Sequence, residues 1–164
     1  MWISKIVLIV VFLTNIATGQ NKREFVAPNR DARAYVVSLK HPEASEESRI
    51  KIVERNGKVL LDTSFASEDG EHGLGVVNAS WTPNSQFFVF STSSSGGHQP
   101  WHSPTFFYSI KAEQLFYLDD LVGAITTSDF MVSGEDSLYT DGMRKDDLED
   151  EDFAVSLSSL IHRK

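Results

Sequence analysis

The dipeptide Asn56-Gly57 constrains the fold of this chain more than any other feature of its sequence. It lies between two runs rich in β-branched and aliphatic residues, 49–55 and 58–63. Asn-Gly supplies the two positive φ angles of a type I′ turn, whose twist matches that of two paired strands. The sequence therefore predicts a β-hairpin over residues 49–63, with Ile50 and Ile52 on one face.

Other short runs with strand composition follow one another along the chain, separated by turn residues. The clear ones cover residues 34–39, 76–81, 86–91, 105–110 and 114–118. Weaker ones cover residues 124–127, 130–132, 137–140 and 153–157. The last of these fits the start of a strand followed by a short terminal turn, and a helix over 153–161 is the alternative because its apolar residues recur at helical spacing. The pattern predicts an all-β protein.

The N-terminal residues have the pattern of a secretory signal peptide. Lys5 precedes an apolar stretch over 6–13, and Ala17 and Gly19 are the small residues of a cleavage site. Because the apolar stretch is about half the roughly 20 residues that span a bilayer, no membrane anchor is expected after cleavage. We expect an exported protein, periplasmic or secreted. A signal peptide over 1–19 would precede a flexible arm or poorly ordered strand over 20–33 and a single all-β domain over 34–164.

The composition narrows the classes of partner. The chain has no cysteine, so neither disulfides nor thiolate metal ligands can stabilise it. Its net charge is −8, and loss of Lys5 with the leader makes it −9. Such a surface repels phosphate backbones, so nucleic acid is not an expected partner. The acidic run over 146–152 is interpreted as a solvated loop, because it lacks the glycine and ligand spacing of an EF-hand calcium loop.

Residues 79–91, "ASWTPNSQFFVFS", carry a resemblance to a known repeat. The segment resembles the alanine-tryptophan-serine-proline-aspartate-glycine motif and following strand of WD40-like β-propeller blades of the TolB type. Thr82 stands where serine is usual, and Asn84-Ser85 replace aspartate and glycine. With the two runs that follow, the resemblance covers residues 76–120 clearly. The hairpin region looks like a degraded copy, and residues 124–157 look like a third.

The resemblance implies blade-like antiparallel sheets, and it carries no shared catalytic set because such blades are scaffolds for binding partners. A closed propeller needs roughly four to eight blades, and these residues supply at most three. We therefore expect the sheets to pack as a compact sandwich or incomplete propeller. Self-association is the other way to bury their faces.

The segment 93–104 is the strongest candidate for function, because it is longer than an ordinary hairpin loop. It contains His98, Trp101 and His102, and the long loop over 64–75 supplies His72 beside Glu71. We expect these side chains to bind a protein, peptide or glycan, with Trp101 as the apolar anchor.

A zinc site formed by His72, His98 and His102 is the alternative function, together with a serine hydrolase. On an extended strand, residues four apart are separated by about 13 Å, so only a compact turn could bring His98 and His102 to one ion. The serines over 91–95 lack a nucleophile-elbow pattern, so an enzyme is less favoured than a binding module and no catalytic residue is assigned.

Overall fold

The structure is a computed structural model that describes residues 21–39, 47–96, 101–144 and 150–162. The signal-peptide prediction over 1–19 lies outside the described residues. The strands of the first two sheets are β1 (Lys22–Val26), β2 (Ala32–Leu39), β3 (Glu47–Glu54), β4 (Val59–Ser64), β5 (Leu74–Trp81), β6 (Phe87–Ser94), β7 (Thr105–Ser109) and β8 (Gln114–Tyr117). They are followed by α1 (Asp119–Val122), β9 (Gly123–Ile125), β10 (Met131–Ser133), β11 (Ser137–Arg144), β12 (Asp150–Ser156) and α2 (Leu157–Ile161). Within the described ranges, neither helix has the length and apolar composition to cross a membrane.

The strands form three antiparallel sheets, each from a continuous part of the chain. The first sheet has the order β1-β2-β3-β4 and the second the order β5-β6-β7-β8. In the third, β12 pairs with β11 along its length, while β10 pairs with the first residues of β11 and β9 with its last. β9 and β10 are therefore two parts of one interrupted edge strand. The predicted all-β class is confirmed, and the blade-like sheets do not close into a ring.

The second sheet lies between the other two and is buried on both faces. Because successive strand residues point to opposite faces, Phe88 and Phe90 enter the core shared with the first sheet, where they meet Ile50 and Ile52. Their neighbours on the same strand enter the core shared with the third sheet, which contains Phe87, Val89, Phe107, Leu138 and Phe153. The uninterrupted apolar run in β6 reflects this burial on two faces.

The hairpin over β3 and β4 is confirmed, but its predicted type I′ turn is wrong. Only Gly57 of the dipeptide has a positive φ, at 91°. The amide of Gly57 donates to the carbonyl of Glu54, and the amide of Glu54 donates to the carbonyl of Lys58. The turn is thus a type I turn followed by a glycine in the left-handed region, an arrangement with one more loop residue than a two-residue hairpin.

Three other regions differ from the sequence-based expectations. Residues 22–26, assigned to a flexible arm or poorly ordered strand, form the paired edge strand β1, whose Phe25 packs against the first core. The acidic residues 150–152, assigned to a solvated loop, lie in β12, and residues 146–149 of that run lie outside the described residues. The segment 153–161 combines both alternatives, because the strand ends at Ser156 and α2 follows, with the Ser156 side chain capping the helix.

The two ends of the sheet stack are built differently. At one end, here called the turn end, short turns join β1 to β2, β3 to β4, β5 to β6, β7 to β8 and β10 to β11. At the other, here called the loop end, the longer connections 65–73 and 95–104 leave and re-enter the sheets. Both segments that the sequence marks as candidates for function are therefore at the same end.

Candidate functional site

A buried carboxylate joins the long connections of the loop end. Glu47, the first residue of β3, is 0% exposed. Its Oε1 accepts hydrogen bonds from the Gly73 amide at 2.7 Å, the Ser67 hydroxyl at 2.6 Å and the Ser95 hydroxyl at 2.9 Å. Its Oε2 accepts one from the Ser67 amide at 3.0 Å. One side chain thus holds the loop over 65–73 and the beginning of the loop over 95–104.

The protonation of Glu47 follows from these contacts. Burial raises the pKa of this carboxyl, but the hydrogen bonds from Ser67, Ser95 and Gly73 outweigh burial and leave the pKa below its usual value. Glu47 is therefore ionised at neutral pH. Because a buried charge is stable only where donors surround it, Glu47 orders the two loops.

Close backbone packing brings the two loops together. A β-carbon at position 96 would collide with the carbonyl oxygen of Glu71, so Gly96 allows an approach that no other residue permits. Glu71 precedes His72, whose Nδ1 lies 2.6 Å from Oδ2 of Asp69. Hydrogen bonds from the amide of Glu71, from Ser67 and from His72 hold the pKa of Asp69 well below its usual value. The imidazole of His72 is thus oriented by a carboxylate while it remains exposed.

The far end of the loop over 95–104 is held by a second buried acid. Asp119, at the start of α1, accepts hydrogen bonds from the amides of Thr105 at 3.1 Å and Ile125 at 3.2 Å. The Ser103 amide donates to the carbonyl of Ile125 at 2.7 Å. Burial raises the pKa of Asp119, and these amides and the nearby imidazole of His102 only partly oppose the rise. Burial and the charge of Asp119 in turn raise the pKa of Tyr117 to about 12.

Trp101 and His102 lie between these two anchored ends. Trp101 is 65% exposed, the highest value among the large apolar side chains of the described residues. Its ring centroid lies 4.9 Å from that of His102. The Nδ1 atom of His102 is buried, and no described residue hydrogen-bonds to it. The site therefore presents an exposed indole on a partly buried imidazole, close to a carboxylate.

The structure brings together some of the predicted site residues. Trp101 and His102 are in contact, and Glu71, the neighbour of His72, packs against Gly96 of the same loop. His98 lies outside the described residues, so the predicted meeting of three histidines is not tested. Over the ranges that the structure describes, no group of three or more histidine, aspartate or glutamate side chains is arranged to hold a metal ion.

Two of the serines over 91–95 donate hydrogen bonds to groups outside that run. Ser91 donates to the carbonyl of Ser128 at 2.5 Å, and Ser95 donates to Glu47. At the turn end, Ser158 donates to Asp136 in a depression of about 310 Å³ that His162 also lines. Within the described part of the chain, Ser158 bonds to Asp136 and Ser156, and no hydrogen bond joins it to His162.

Sequence reasoning missed the two buried acids. Glu47 lies in the polar run 43–48, which has no core signal, and Asp119 is one of two adjacent aspartates that follow Leu118. The signal that could have found them is weak, since each is an acid at or near the end of a strand that contributes to the core.

Comparison with known proteins finds similar structures of low sequence identity and no match by sequence. No family model matches the sequence, and no curated protein matches it. One similar solved structure is the β-propeller domain of the Trilobed protease from Pyrococcus furiosus, with 11% identity, 79% of this chain and 36% of that chain covered, and a TM-score of 0.49. Another is a mutant puromycin hydrolase in complex with PGG. It has 9% sequence identity and a TM-score of 0.33, and the match covers 83% of this chain and 27% of that chain.

The chain spans about a third of the length of the first structure and about a quarter of the second. The first of them is described as a β-propeller domain. The finer resemblance to TolB-type repeats stays a prediction, since no family model matches.

Proposed function

We propose that this protein is a binding module that recognises a protein, peptide or glycan at its loop end. The observation that carries the proposal is the exposure of Trp101, an indole held in water on a loop whose two ends are anchored. Exposing a large aromatic is costly, and a ligand that covers the ring recovers the cost. Anchoring both ends of the loop lowers the entropy that binding must remove.

The polar groups around the indole would orient the ligand. Nδ1 of His102 is a buried polar atom without a partner among the described residues, and a polar group of the ligand that reached it would supply the missing hydrogen bond. His72, held by Asp69, and His98 complete the proposed binding set. Because β-sheet scaffolds of this kind share no chemistry, the ligand is determined by these loop residues.

The experiment compares matched variants on a defined glycan array and a random-sequence peptide library. Trp101→Ala should lose at least tenfold in affinity for any ligand that the wild type binds, since aromatic anchors dominate such sites. Val77→Ala is the control, because Val77 is 45% exposed but lies within β5 of the second sheet. Both variants should keep the circular dichroism spectrum of the wild type.

Two results would contradict the proposal. One is a set of ligands that Trp101→Ala binds as tightly as the wild type. The other is loss of the folded spectrum in Trp101→Ala, which would make the indole a structural residue. Calorimetric titration of zinc into the metal-free protein tests the alternative function, a zinc site. Stoichiometric zinc binding by the wild type that is lost in His72→Ala and in His98→Ala would indicate such a site.

The proposed compartment is tested separately. We propose that residues 1–19 are removed on export, so the mature protein begins at Gln20. N-terminal sequencing of the exported protein should read Gln-Asn-Lys-Arg. A sequence beginning at Met1 would contradict this.

A further inference from the structure

The outward side of the first sheet is a basic face on an acidic protein. Its four cationic residues are Lys22, Arg33, Arg49 and Lys51. Two carboxylates accompany them, Glu24 at 2.8 Å from Arg33 and Asp62 at 2.7 Å from Arg49. The excess of positive charge on this face is opposite in sign to the net charge of the chain, −8. A groove of about 500 Å³ crosses this face and is lined by four of the charged residues and four apolar or aromatic ones: Lys22, Arg49, Lys51, Asp62, Tyr35, Val37, Leu39 and Val53.

The outward side of the third sheet is an acidic face. Strand register places Met131, Tyr139 and Ala154 in one row across the sheet and Asp141 beside Asp152 in the next row. A groove of about 450 Å³ crosses these rows, and Asp129 also lines it. Among the described residues that line this groove, none is a lysine or arginine. The face therefore carries three carboxylates with apolar side chains among them.

The exposed apolar side chains are concentrated on the same two faces. The described residues include six exposed large hydrophobics, of which four are on these faces: Val26 and Val59 on the basic face, and Met131 and Tyr139 on the acidic face. The other faces of these two sheets are buried against the second sheet. Each outer sheet thus has one face buried against the second sheet and one exposed face whose charged and apolar side chains suit a partner.

We propose that two copies of this chain associate head to tail, with the basic face of each packed on the acidic face of the other. The two faces lie on opposite outer sides of the three stacked sheets, with the second sheet between them, so a single copy cannot bring them together. Such a contact joins two different surfaces, and it closes only if the rotation between copies completes a ring. Two copies supply six sheets, which is within the four to eight of β-propellers, whereas one copy supplies three and three copies supply nine.

The mass of the protein in solution is the first test. Sedimentation velocity at low ionic strength should give twice the mass of one chain over a range of protein concentrations. In 0.5 M sodium chloride the dimer should dissociate at higher protein concentration, because salt screens exposed charges. A monomer throughout at low ionic strength would overturn the proposal, and so would an open series of larger species, since the ring would not have closed.

Charge reversal identifies the faces. Lys51→Glu makes the basic face more acidic, and Asp152→Lys makes the acidic face more basic, so each variant alone meets like charge at both contacts of its ring. Each should weaken the dimer by about tenfold or more, because every exposed pair is lost twice and replaced by repulsion. Glu135→Lys, a reversal in the turn between β10 and β11, is the control and should dimerise as the wild type does.

Mixing the two reversed variants separates this interface from a general effect of charge. In a mixed dimer, the acidic face of Lys51→Glu meets the unchanged basic face of its partner, and the two reversed faces meet each other. Both contacts are then complementary, so an equimolar mixture should recover the dimer that neither variant forms. Failure of the mixture to recover it, with each variant folded by circular dichroism, would overturn the proposed pairing of faces.

Discussion

Replacing Glu47 by alanine should release the two loops that carry the candidate site. The change removes an acceptor of four hydrogen bonds from Ser67, Gly73 and Ser95. The amide of Gly73 is buried and would have no acceptor in place of the carboxylate. Among the described residues, the Ser95 hydroxyl would keep its bond to the carbonyl of Gly73, at 3.2 Å. The folded state therefore loses a network rather than a single contact.

The magnitude follows from the number of donors left behind. Hydrogen bonds to a charged group contribute about 1.5 to 3 kcal/mol each, and a buried donor without a partner costs about 1 to 3 kcal/mol. Since the effects are not additive, we expect a total loss of about 3 to 5 kcal/mol for Glu47→Ala. In a domain of this size that corresponds to a melting temperature lower by about 10 °C. Glu47→Gln keeps the shape and one acceptor oxygen, so its loss should be about 1 to 3 kcal/mol.

The stabilisation by Glu47 should also depend on pH. Its pKa is lowered in the folded state relative to 4.5, so the folded protein holds this proton less tightly than the unfolded chain. The contribution is therefore complete above the unfolded pKa and is lost as the pH falls through the lower, folded pKa. The difference in unfolding free energy between the wild type and Glu47→Gln should be constant from neutral pH to about pH 5 and shrink below that.

Urea unfolding monitored by circular dichroism measures both effects. Glu68→Gln is the matched control, because Glu68 is an exposed glutamate of the same loop and should change the stability by less than about 0.5 kcal/mol. Acrylamide quenching of Trp101 should increase in Glu47→Ala, because the beginning of its loop is no longer held. If Glu47→Ala unfolds within 1 kcal/mol of the control, the carboxylate network does not order the loop end.

Three further predictions concern the fold and its titration. Gly57→Ala should destabilise the protein by about 1 kcal/mol or more, because φ at this turn is 91° while nothing lies within 4 Å of an added β-carbon; an unchanged urea midpoint would contradict the turn geometry. Phe88→Ala should cost about 3 to 5 kcal/mol, since this ring is 0% exposed and contacts Phe25, Trp81 and Phe90; a loss below 1 kcal/mol would show that the first core is not packed as described. Ultraviolet titration should show a tyrosine ionising near pH 12 that Tyr117→Phe lacks, and an unchanged curve would contradict the burial of Tyr117 beside Asp119.

The strands of the second sheet were predicted within a few residues because their signals are local. The proline and serine after Trp81 mark a turn, and the continuous apolar run of β6 marks a strand buried on both faces. β1 was not predicted as an ordered strand because it is an edge strand with only Arg23 and Phe25 on its inner side. The pairing of β1 with β2, which no local pattern shows, is what orders it.

The Asn-Gly turn shows a different limit. The dipeptide indicates where the hairpin reverses, but it fits more than one turn type. The pairing of β3 with β4 shifts between Ile52 and Val53, and this irregularity accommodates the additional loop residue. The turn type is therefore determined by strand register as well as by the two turn residues.

The sequence predicts where the candidate site lies, but not which contacts hold its residues in position. Loop length, Trp101 and the histidines mark the loop over 95–104 in the sequence. The donors to Glu47 come from residues 20, 26 and 48 positions away along the chain, so composition near Glu47 resembles an ordinary solvated connector. A buried acid whose partners are this distant is recognisable only once the chain has folded.

The two ends of the stack satisfy their polar backbone groups in different ways, and this difference bears on function. At the turn end, some side chains accept from amides close in sequence, as Asn56 does from Lys58 at 2.8 Å, and others bond across turns, as Ser85 does when it accepts from the amide of Asn29 at 3.0 Å. Longer loops have too many amides for such local bonds, so Glu47 and Asp119 accept from amides of distant residues. These two acids hold the beginning and the end of the loop that carries Trp101. Because burying each acid costs free energy, both acids need donors from the connections that they hold, and this agrees with the binding role that we propose for Trp101.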